Sequence, residues 1–386
     1  MLKWAAVSKR VFLFAASVAV WLVISVGAAS SASRSCTITT VGCLVTITHD
    51  AKVCCYQWTT TNSVVFQGGR NELFTATGRD GRIATIDQQD AVLWPQALSP
   101  DRSKVVYTTF AGPFSYPISI KLVSVNGGTP TELYRYPHDT DLQGPMWRTD
   151  GQRIAYTNDW GGGEIATIPA TGGLPTVLIP ADGKSRKVVG YLASGFVIVL
   201  ETNRDGSNGR LLRVAEDGTT RVLTTKLRSA AVSPNGETAA FANKEGNLYA
   251  MSTSGGPIVP LAVSGATPLR IQFSPDSSKV AFTVLVPNTD DYRTYVAKTD
   301  GTRVVQLPYR PHDVSWASNS HRLVMSGWNA DGQRAIATVN ADGTGLTELL
   351  QTACGGPIFS PDGAYMACLL QSNQGETSEL AAMRLR

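Results

Sequence analysis

The sequence predicts an all-β fold: a β-propeller of eight four-stranded blades, with seven blades as the alternative. A motif of the form Phe273-Ser274-Pro275-Asp276, followed by an apolar triplet that begins at Val280, recurs along the whole chain. Ser, Pro and Asp favour a tight turn and the flanking apolar runs favour strands, so each copy predicts a β-hairpin. A hairpin repeated about every 40 residues is typical of propeller blades.

The number of repeats sets the number of blades. Eight apolar triplets follow such turns, and their first residues are Val64, Val105, Ile154, Val197, Ala239, Val280, Leu323 and Met366. The turn before Val64 is shortened, and this degraded first copy is why seven blades remain the alternative.

The repeats also predict how the ring closes. Each repeat has four runs, and a glycine turn precedes the fourth in seven of them: Asp80-Gly81, Asn126-Gly127, Thr171-Gly172, Asp217-Gly218, Ser254-Gly255, Asp300-Gly301 and Asp342-Gly343. The last repeat ends with its third run, at 379–385. Residues 36–50 alternate Thr with Ile or Val and belong to no repeat. We expect them to supply the missing strand, because this pairs strand edges that would otherwise be exposed.

The first 32 residues predict export. A basic start with Lys3, Lys9 and Arg10 precedes an apolar run at 11–29 and small residues up to Ala32. We expect cleavage near Ala32, a closing-strand segment at 33–53 and a propeller at 54–386. The apolar run is just long enough to span a bilayer, so an uncleaved anchor is the alternative. The expected location is periplasmic or extracellular, with membrane attachment only if the segment is retained.

Composition excludes some partners. The formal net charge of +4 falls close to neutral once the basic residues of the export segment are removed. The remaining basic residues are scattered, whereas a phosphate-binding surface needs them clustered, so we expect no nucleic acid. No interdomain linker is visible, and we expect a monomer.

Six cysteines in an exported chain permit disulfides. Four precede the first hairpin turn, whereas Cys354 and Cys368 lie in the last repeat. End-to-end closure of the ring would make the two groups neighbours. We therefore expect Cys354 to bridge Cys54 or Cys55, with Cys368 as a buried thiol in the alternative interpretation.

The repeat resembles a known propeller module. The turn Phe359-Ser360-Pro361-Asp362-Gly363 and its copies are similar to propeller repeats of the TolB type, also described as WD-like, and the resemblance covers roughly residues 54–386. The bacterial TolB protein carries an α/β domain ahead of a six-bladed propeller, whereas only about 20 residues separate the expected cleavage point from the first repeat here. The resemblance therefore implies the fold and not a Tol-Pal role.

Signatures of metal binding and catalysis are lacking. Asp101, Asp276 and Asp362 recur at the turns, where Asp hydrogen-bonds its own backbone. The sequence has no EF-hand spacing and no Cys/His cluster, so we expect neither a metal nor a cofactor. It also lacks a Gly-x-Ser-x-Gly nucleophile motif, which favours a non-catalytic protein.

Two Pro-His-Asp segments are candidate ligand-binding groups. His138-Asp139 and His312-Asp313 each precede the tryptophan of a blade's first strand, where a connection would enter by the channel mouth. In an eight-bladed ring these two blades face each other across the channel, so the pairs could bind an anionic or metal-bridged ligand. The alternative is two copies of a structural turn, and opposite walls are too far apart for one metal shell with bonds of ~2 Å.

Aromatic residues divide into two groups. Trp58, Trp147 and Trp316 hold fixed places beside the turns and are expected to pack between blades. Candidate partner-binding residues are those in irregular loops, namely Phe114, Tyr116, Trp160, Tyr292 and Trp328.

Taken together, the sequence favours an exported, non-catalytic propeller that binds a protein, peptide or envelope component through its loop face or central channel. The alternative is a propeller enzyme, a polysaccharide lyase or hydrolase, with its site at the channel mouth. A converging set of His, Arg and carboxylate groups would favour the enzyme, and an apolar or mixed surface would favour the binding module.

Overall fold

The computed structural model describes residues 36–38, 43–48, 53–59, 63–68, 72–77, 82–87, 91–110, 118–137, 140–159, 162–263, 267–286, 288–289, 291–371 and 378–385. Within these ranges the chain forms 33 β-strands in eight antiparallel sheets, and no helix. It follows that nothing in the described ranges is a long apolar helix of the kind that crosses a membrane. The eight sheets confirm the prediction of eight blades.

Strands β1 (Cys36–Ile38) and β2 (Cys43–Thr46) precede the first blade. Blade 1 consists of β3 (Cys54–Trp58), β4 (Ser63–Gln67), β5 (Leu73–Thr77) and β6 (Ile83–Asp87), and blade 2 of β7 (Ala91–Leu98), β8 (Lys104–Phe110), β9 (Ile118–Ser124) and β10 (Thr131–Arg135). Blade 3 consists of β11 (Leu142–Trp147), β12 (Arg153–Asn158), β13 (Glu164–Pro169) and β14 (Thr176–Ile179), and blade 4 of β15 (Ser185–Tyr191), β16 (Val197–Thr202), β17 (Arg210–Val214) and β18 (Thr220–Thr225).

Blade 5 consists of β19 (Leu227–Val232), β20 (Thr238–Asn243), β21 (Asn247–Ser252) and β22 (Ile258–Val263), and blade 6 of β23 (Thr267–Phe273), β24 (Lys279–Leu285), β25 (Tyr292–Lys298) and β26 (Val304–Gln306). Blade 7 consists of β27 (Arg310–Trp316), β28 (Arg322–Trp328), β29 (Arg334–Asn340) and β30 (Thr347–Leu350), and blade 8 contains β31 (Cys354–Phe359), β32 (Tyr365–Gln371) and β33 (Ser378–Arg384). The first strands of neighbouring blades contact one another, at two seams through a tryptophan side chain, so they surround the axis. Buried apolar side chains between successive sheets form the core.

The N-terminal strands complete the last blade, as predicted. β2 pairs antiparallel with β33, placing Leu44 opposite Met383, and β1 pairs with β2 as a fifth strand. The hydroxyl of Thr48, which is buried, accepts a hydrogen bond from the backbone N–H of Leu380 at 2.9 Å. The edge of β33 is thereby paired rather than exposed.

Tryptophans join neighbouring blades. The indole N–H of Trp147 donates to the carbonyl of Ala97 at 3.1 Å, and that of Trp316 donates to Gln272 at 3.3 Å. In each case the acceptor lies on the first strand of the preceding blade. Trp58 makes the same bond to Ile358, at 3.1 Å, across the seam between blades 1 and 8. These buried rings confirm that the blade-start tryptophans pack between blades.

The repeated aspartates serve their own turns. The Ser274 hydroxyl donates to Asp276 at 2.5 Å and accepts from the N–H of Lys279 at 2.9 Å. In the copy at Asp101, hydrogen bonds from Ser103 and Ser99 lower the pKa of the carboxyl to about 2. The structural interpretation of these residues is therefore confirmed.

One predicted disulfide is wrong. Cys354 is bonded to Cys368, with 5.7 Å between their Cα atoms, and not to Cys54 or Cys55. The reason is local: Cys354 on β31 lies opposite Leu370 on β32, so Cys368 is a diagonal neighbour within the same hairpin. Cys368 is accordingly not a buried thiol either.

Replacing Trp58 tests the closing seam. Because Trp58 is 2% exposed, we expect Trp58→Ala to lower the free energy of unfolding by about 3–5 kcal/mol. Trp58→Phe, which keeps most of the ring but loses the N–H donor, should cost about 1 kcal/mol. Urea denaturation followed by circular dichroism measures both losses. Leu174→Ala is the control, since Leu174 is 80% exposed, and an equal loss in this variant would contradict the assignment.

Candidate functional site

Bulges in the first strands position the candidate site. The register of β23 shifts between Pro268 and Arg270, and that of β27 shifts between Pro311 and Asp313. Proline has no N–H to donate to the ladder, so it is tolerated where pairing is interrupted. A bulge redirects the side chains beside it. His312 thus lies inside a bulge of β27, on the strand itself and not on the connection that the sequence predicted.

A chain of polar contacts crosses four blades beside the axis. Arg270 of blade 6 contacts Asp313 of blade 7, with 2.9 Å between Nη1 and Oδ1. The other carboxylate oxygen of Asp313 accepts from the backbone N–H of Gly356 in blade 8 at 3.1 Å. The carbonyl of Gly356 in turn accepts from the Tyr56 hydroxyl of blade 1. Asp313 is therefore engaged in holding blades together.

Burial favours the protonated form of the Tyr56 phenol. It raises the pKa of Tyr56 far above its ordinary value, and the negative charge of Asp313 adds to this rise. Tyr56 therefore keeps its proton and acts as a hydrogen-bond donor to the carbonyls of Gly356 and Ala367, the second at 3.2 Å.

Three aromatic rings from blades 6 and 7 form a tilted stack beside this chain, with interplanar angles of 43° and 49°. The ring of His312 lies between those of Tyr292 and Trp328, with centroid distances of 4.1 and 4.2 Å. The guanidinium of Arg334 lies 5.6 Å from the centre of the Trp328 ring. Burial lowers the pKa of His312, Asp313 opposes this effect, and Arg334 adds to it. His312 therefore favours its neutral form.

Two cavities adjoin the stack and share Trp328. The smaller, of about 290 Å³, is lined by His312, Asp313 and Arg334. The larger, of about 710 Å³, is lined by Tyr292 and Tyr309, by Leu307 and Pro308 of the connection between blades 6 and 7, and by charged residues that include Glu348. Both open at the same ends of the strands, where β24 leads to β25 and β28 leads to β29.

Tyr309 is a site residue that sequence reasoning missed. Its φ angle is +127°, which a residue with a side chain rarely adopts, and its hydroxyl is buried without a hydrogen-bond partner in the described part of the chain. Burial, and secondarily Glu348, raises its pKa to about 12. Backbone strain and an unpaired buried polar group are both costly, and they concentrate at functional sites. Its only sequence signal was its place directly after Pro308 and two residues before Pro311.

The other predicted site residues have different outcomes. Tyr292 and Trp328 were expected in loops, but β25 begins at Tyr292 and β28 ends at Trp328. Cross-strand pairing with Leu285 and Arg334 extends the two hairpins that far. Five predicted site residues lie outside the described ranges: Phe114, Tyr116, His138, Asp139 and Trp160. The proposed facing of the two His-Asp pairs across the channel is therefore untested.

The chemistry available at this site is aromatic stacking and cation contact. Asp313 is already paired with Arg270 and Gly356, whereas His312 and Arg334 face the smaller cavity. Within the described ranges no three His, Cys, Asp or Glu residues are grouped so that they could hold a metal ion. The surface is mixed, with aromatic faces, arginines and carboxylates.

Comparison with known proteins shows the fold. No family model matches the chain. No curated protein sequence matches it. An oligogalacturonate lyase in complex with manganese aligns with a TM-score of 0.58 at 13% identity, covering 90% of this chain and 94% of the other. A second oligogalacturonate lyase, from Vibrio parahaemolyticus, gives 0.57 at 12% identity, with 87% and 98% coverage.

A prolyl endopeptidase gives a TM-score of 0.57 at 12% identity, covering 86% of this chain but only 54% of the peptidase. At such identities the likeness concerns the β-propeller alone. The repeats and the eight blades together define the class: an eight-bladed β-propeller, consistent with a TolB-type, WD-like repeat protein. Enzymes are among the proteins whose structures are similar to this β-propeller.

The titration of His312 tests the geometry of the stack. By NMR we expect its midpoint below 6.5, and Arg334→Gln should raise the midpoint because a positive charge is removed. The folded protein then binds this proton less well than the unfolded chain. Stability should therefore decline as the pH falls from 6.5 through the folded pKa. Arg213→Gln, at an arginine stacked on Phe196, is the control. A midpoint at or above 6.5 would contradict the assignment.

Proposed function

We propose that the protein is a binding module that holds an extended peptide segment on the face formed by blades 6 and 7. The observation that supports this most is the Tyr292–His312–Trp328 stack between two cavities. As the sequence predicted, we place this module outside the cytoplasm, where its partner would be an exported or envelope protein.

Rigid aromatic side chains are effective anchors for a peptide. Tyr and Trp present a large contact area and lose little conformational entropy on binding, because they have few rotatable bonds. Tyr292 and Trp328 are partly exposed, and each is held by its contact with His312. The stack is therefore organised before a ligand arrives, which reduces the cost of binding.

The two cavities suit consecutive side chains of an extended chain. Trp328 lines both cavities, and both linings are mixed. The larger cavity has Leu307, Pro308 and Leu346 together with the charged residues Asp291, Arg293, Arg310, Asp331 and Glu348. Tyr309 also lines the larger cavity, and its unpaired hydroxyl is buried. A peptide carbonyl could accept a hydrogen bond from this hydroxyl only after the surrounding side chains move.

A peptide-display screen tests this function. A random peptide library is selected on the immobilised protein, and the affinity of each selected peptide is then measured by titration calorimetry. We expect Trp328→Ala and Tyr292→Ala to weaken binding at least tenfold, the loss typical of a buried aromatic anchor, which is about 1.4 kcal/mol or more.

The matched control is Phe196→Ala, since Phe196 is a partly exposed aromatic ring that also contacts an arginine but lies in blade 4. Peptides whose affinity is unaffected by the two blade 6–7 variants, or no selected peptides at all, would count against the proposal.

The second candidate is an enzyme that cleaves an acidic oligosaccharide by elimination. Its support is that His312, in its neutral form, and Arg334 line one cavity with Asp313. In such a reaction a base removes the proton next to a carboxylate, and a cation stabilises the resulting charge. The bond from the adjacent carbon to the glycosidic oxygen then breaks, a C=C double bond forms, and the departing oxygen takes up a proton from solvent. His312 would be the base and Arg334 the cation. Oligogalacturonate lyases are among the structural neighbours.

An elimination assay distinguishes the two candidates. The protein is incubated with a panel of uronate oligosaccharides, and formation of the unsaturated product is followed by its ultraviolet absorbance. If this candidate is right, His312→Ala should reduce the rate by about 100-fold or more, while His321→Ala should not change it. Absence of product with the unaltered protein would exclude the enzyme and leave peptide binding unaffected.

A further inference from the structure

A third cavity lies on the opposite face of blades 6 and 7 and has no part in the proposed function. It measures about 430 Å³ and is lined by Lys279, Lys298 and Arg303 over a floor of Val296 and Val305. Lys279 begins β24 and Lys298 ends β25, so these residues lie at the strand ends farthest from the Tyr292–His312–Trp328 stack.

Two of the cations oppose each other directly across the sheet. Lys279 pairs with Lys298 in the ladder between β24 and β25. Like charges at directly opposite positions destabilise a sheet. The corresponding pairs of the other blades contain no two charges of the same sign: Ser63–Thr77, Lys104–Ser124, Arg153–Pro169, Val197–Val214, Thr238–Ser252, Arg322–Asn340 and Tyr365–Arg384.

One carboxylate, that of Asp342, lines the cavity with the three cations, whereas Asp276 and Asp300 lie near Lys279 and Lys298 but outside the lining. Asp342, which lines the cavity, accepts from the N–H and hydroxyl of Thr344 at 3.0 and 2.6 Å. Asp300 is held by Thr302 in the same way. Within the described ranges neither Lys298 nor Arg303 has a carboxylate within the 4.0 Å of an ion pair. Lys279 is 3.7 Å from Asp276 and 3.3 Å from the carbonyl of Ser320, which fixes it at the seam.

We propose that this cavity binds an anionic group with two or more negative charges, such as a phosphate monoester. Bringing Lys279, Lys298 and Arg303 together costs electrostatic energy that such an anion offsets. The apolar floor and the volume leave room for the organic part of an ester. A soluble phosphate ester and a lipid phosphate headgroup share this chemistry.

Calorimetric titration with inorganic pyrophosphate tests the site. We expect binding that weakens as salt is added, because the contacts are between charges at the surface. Lys298→Gln and Arg303→Gln should each reduce the affinity about tenfold, as expected for loss of one charge-assisted contact. Arg228→Gln removes an exposed arginine of blade 5 and should leave the affinity unchanged.

A thermal measurement gives a readout that does not depend on a ligand. Because Lys298→Gln relieves the repulsion with Lys279, the variant should have a higher Tm than the unaltered protein when no anion is added. With pyrophosphate the order should reverse, since the anion stabilises the intact site.

Vesicle sedimentation identifies the source of the anion. Binding to phosphatidate vesicles that Lys298→Gln abolishes would assign the site to a lipid headgroup, and binding of pyrophosphate alone would assign it to a soluble ester. The proposal is overturned if neither probe binds, or if Lys298→Gln and Arg228→Gln bind pyrophosphate equally well. Peptide binding on the other face is independent of each of these outcomes.

Discussion

Closure of the ring is the constraint on which the rest of this structure depends. At the seam between blades 8 and 1, the Trp58 indole bonds to Ile358 and the Tyr56 hydroxyl bonds to Gly356. Pairing of β2 with β33 supplies the same closure through the backbone. Because first strands contact one another around the axis, through the backbone at most seams and through the Trp316 and Trp58 indoles at two, the position of each strand depends on its neighbours. A side chain on a first strand is therefore held by two seams.

This constraint decides what the Pro-His-Asp segment of blade 7 can do. The bulge at Pro311 turns Asp313 toward Arg270 on one side and Gly356 on the other, so its carboxylate joins blades 6, 7 and 8. A carboxylate with both oxygens engaged is poorly placed to act as a base. His312 makes no such bond in the described part of the chain, and its ring is available to hold Tyr292 and Trp328.

The fold could be predicted from the sequence because short turns of recognisable composition determine each hairpin. Ser274 and Asp276 fix a turn within six residues, and counting such turns gave the blades and the missing strand. The disulfide prediction failed because it considered only which blades are neighbours. The hairpin geometry that brings Cys368 to Cys354 is shorter in range and depends on register.

The site could be predicted only in part, because its contacts join residues that are distant in the sequence. His312 and Trp328 could be singled out by residue type, but the contact of His312 with Tyr292 arises from packing between blades 6 and 7. Tyr309 carries no motif at all, and its strained φ angle appears only in three dimensions. In a repeat protein the pattern accounts for what every blade shares. The strained Tyr309 lies in the connection between blades 6 and 7, and the opposed Lys279 and Lys298 line a cavity between the same two blades. Both features depart from the repeat and both destabilise the fold. Such costs persist when function compensates for them, so this seam is where ligands are expected on both faces.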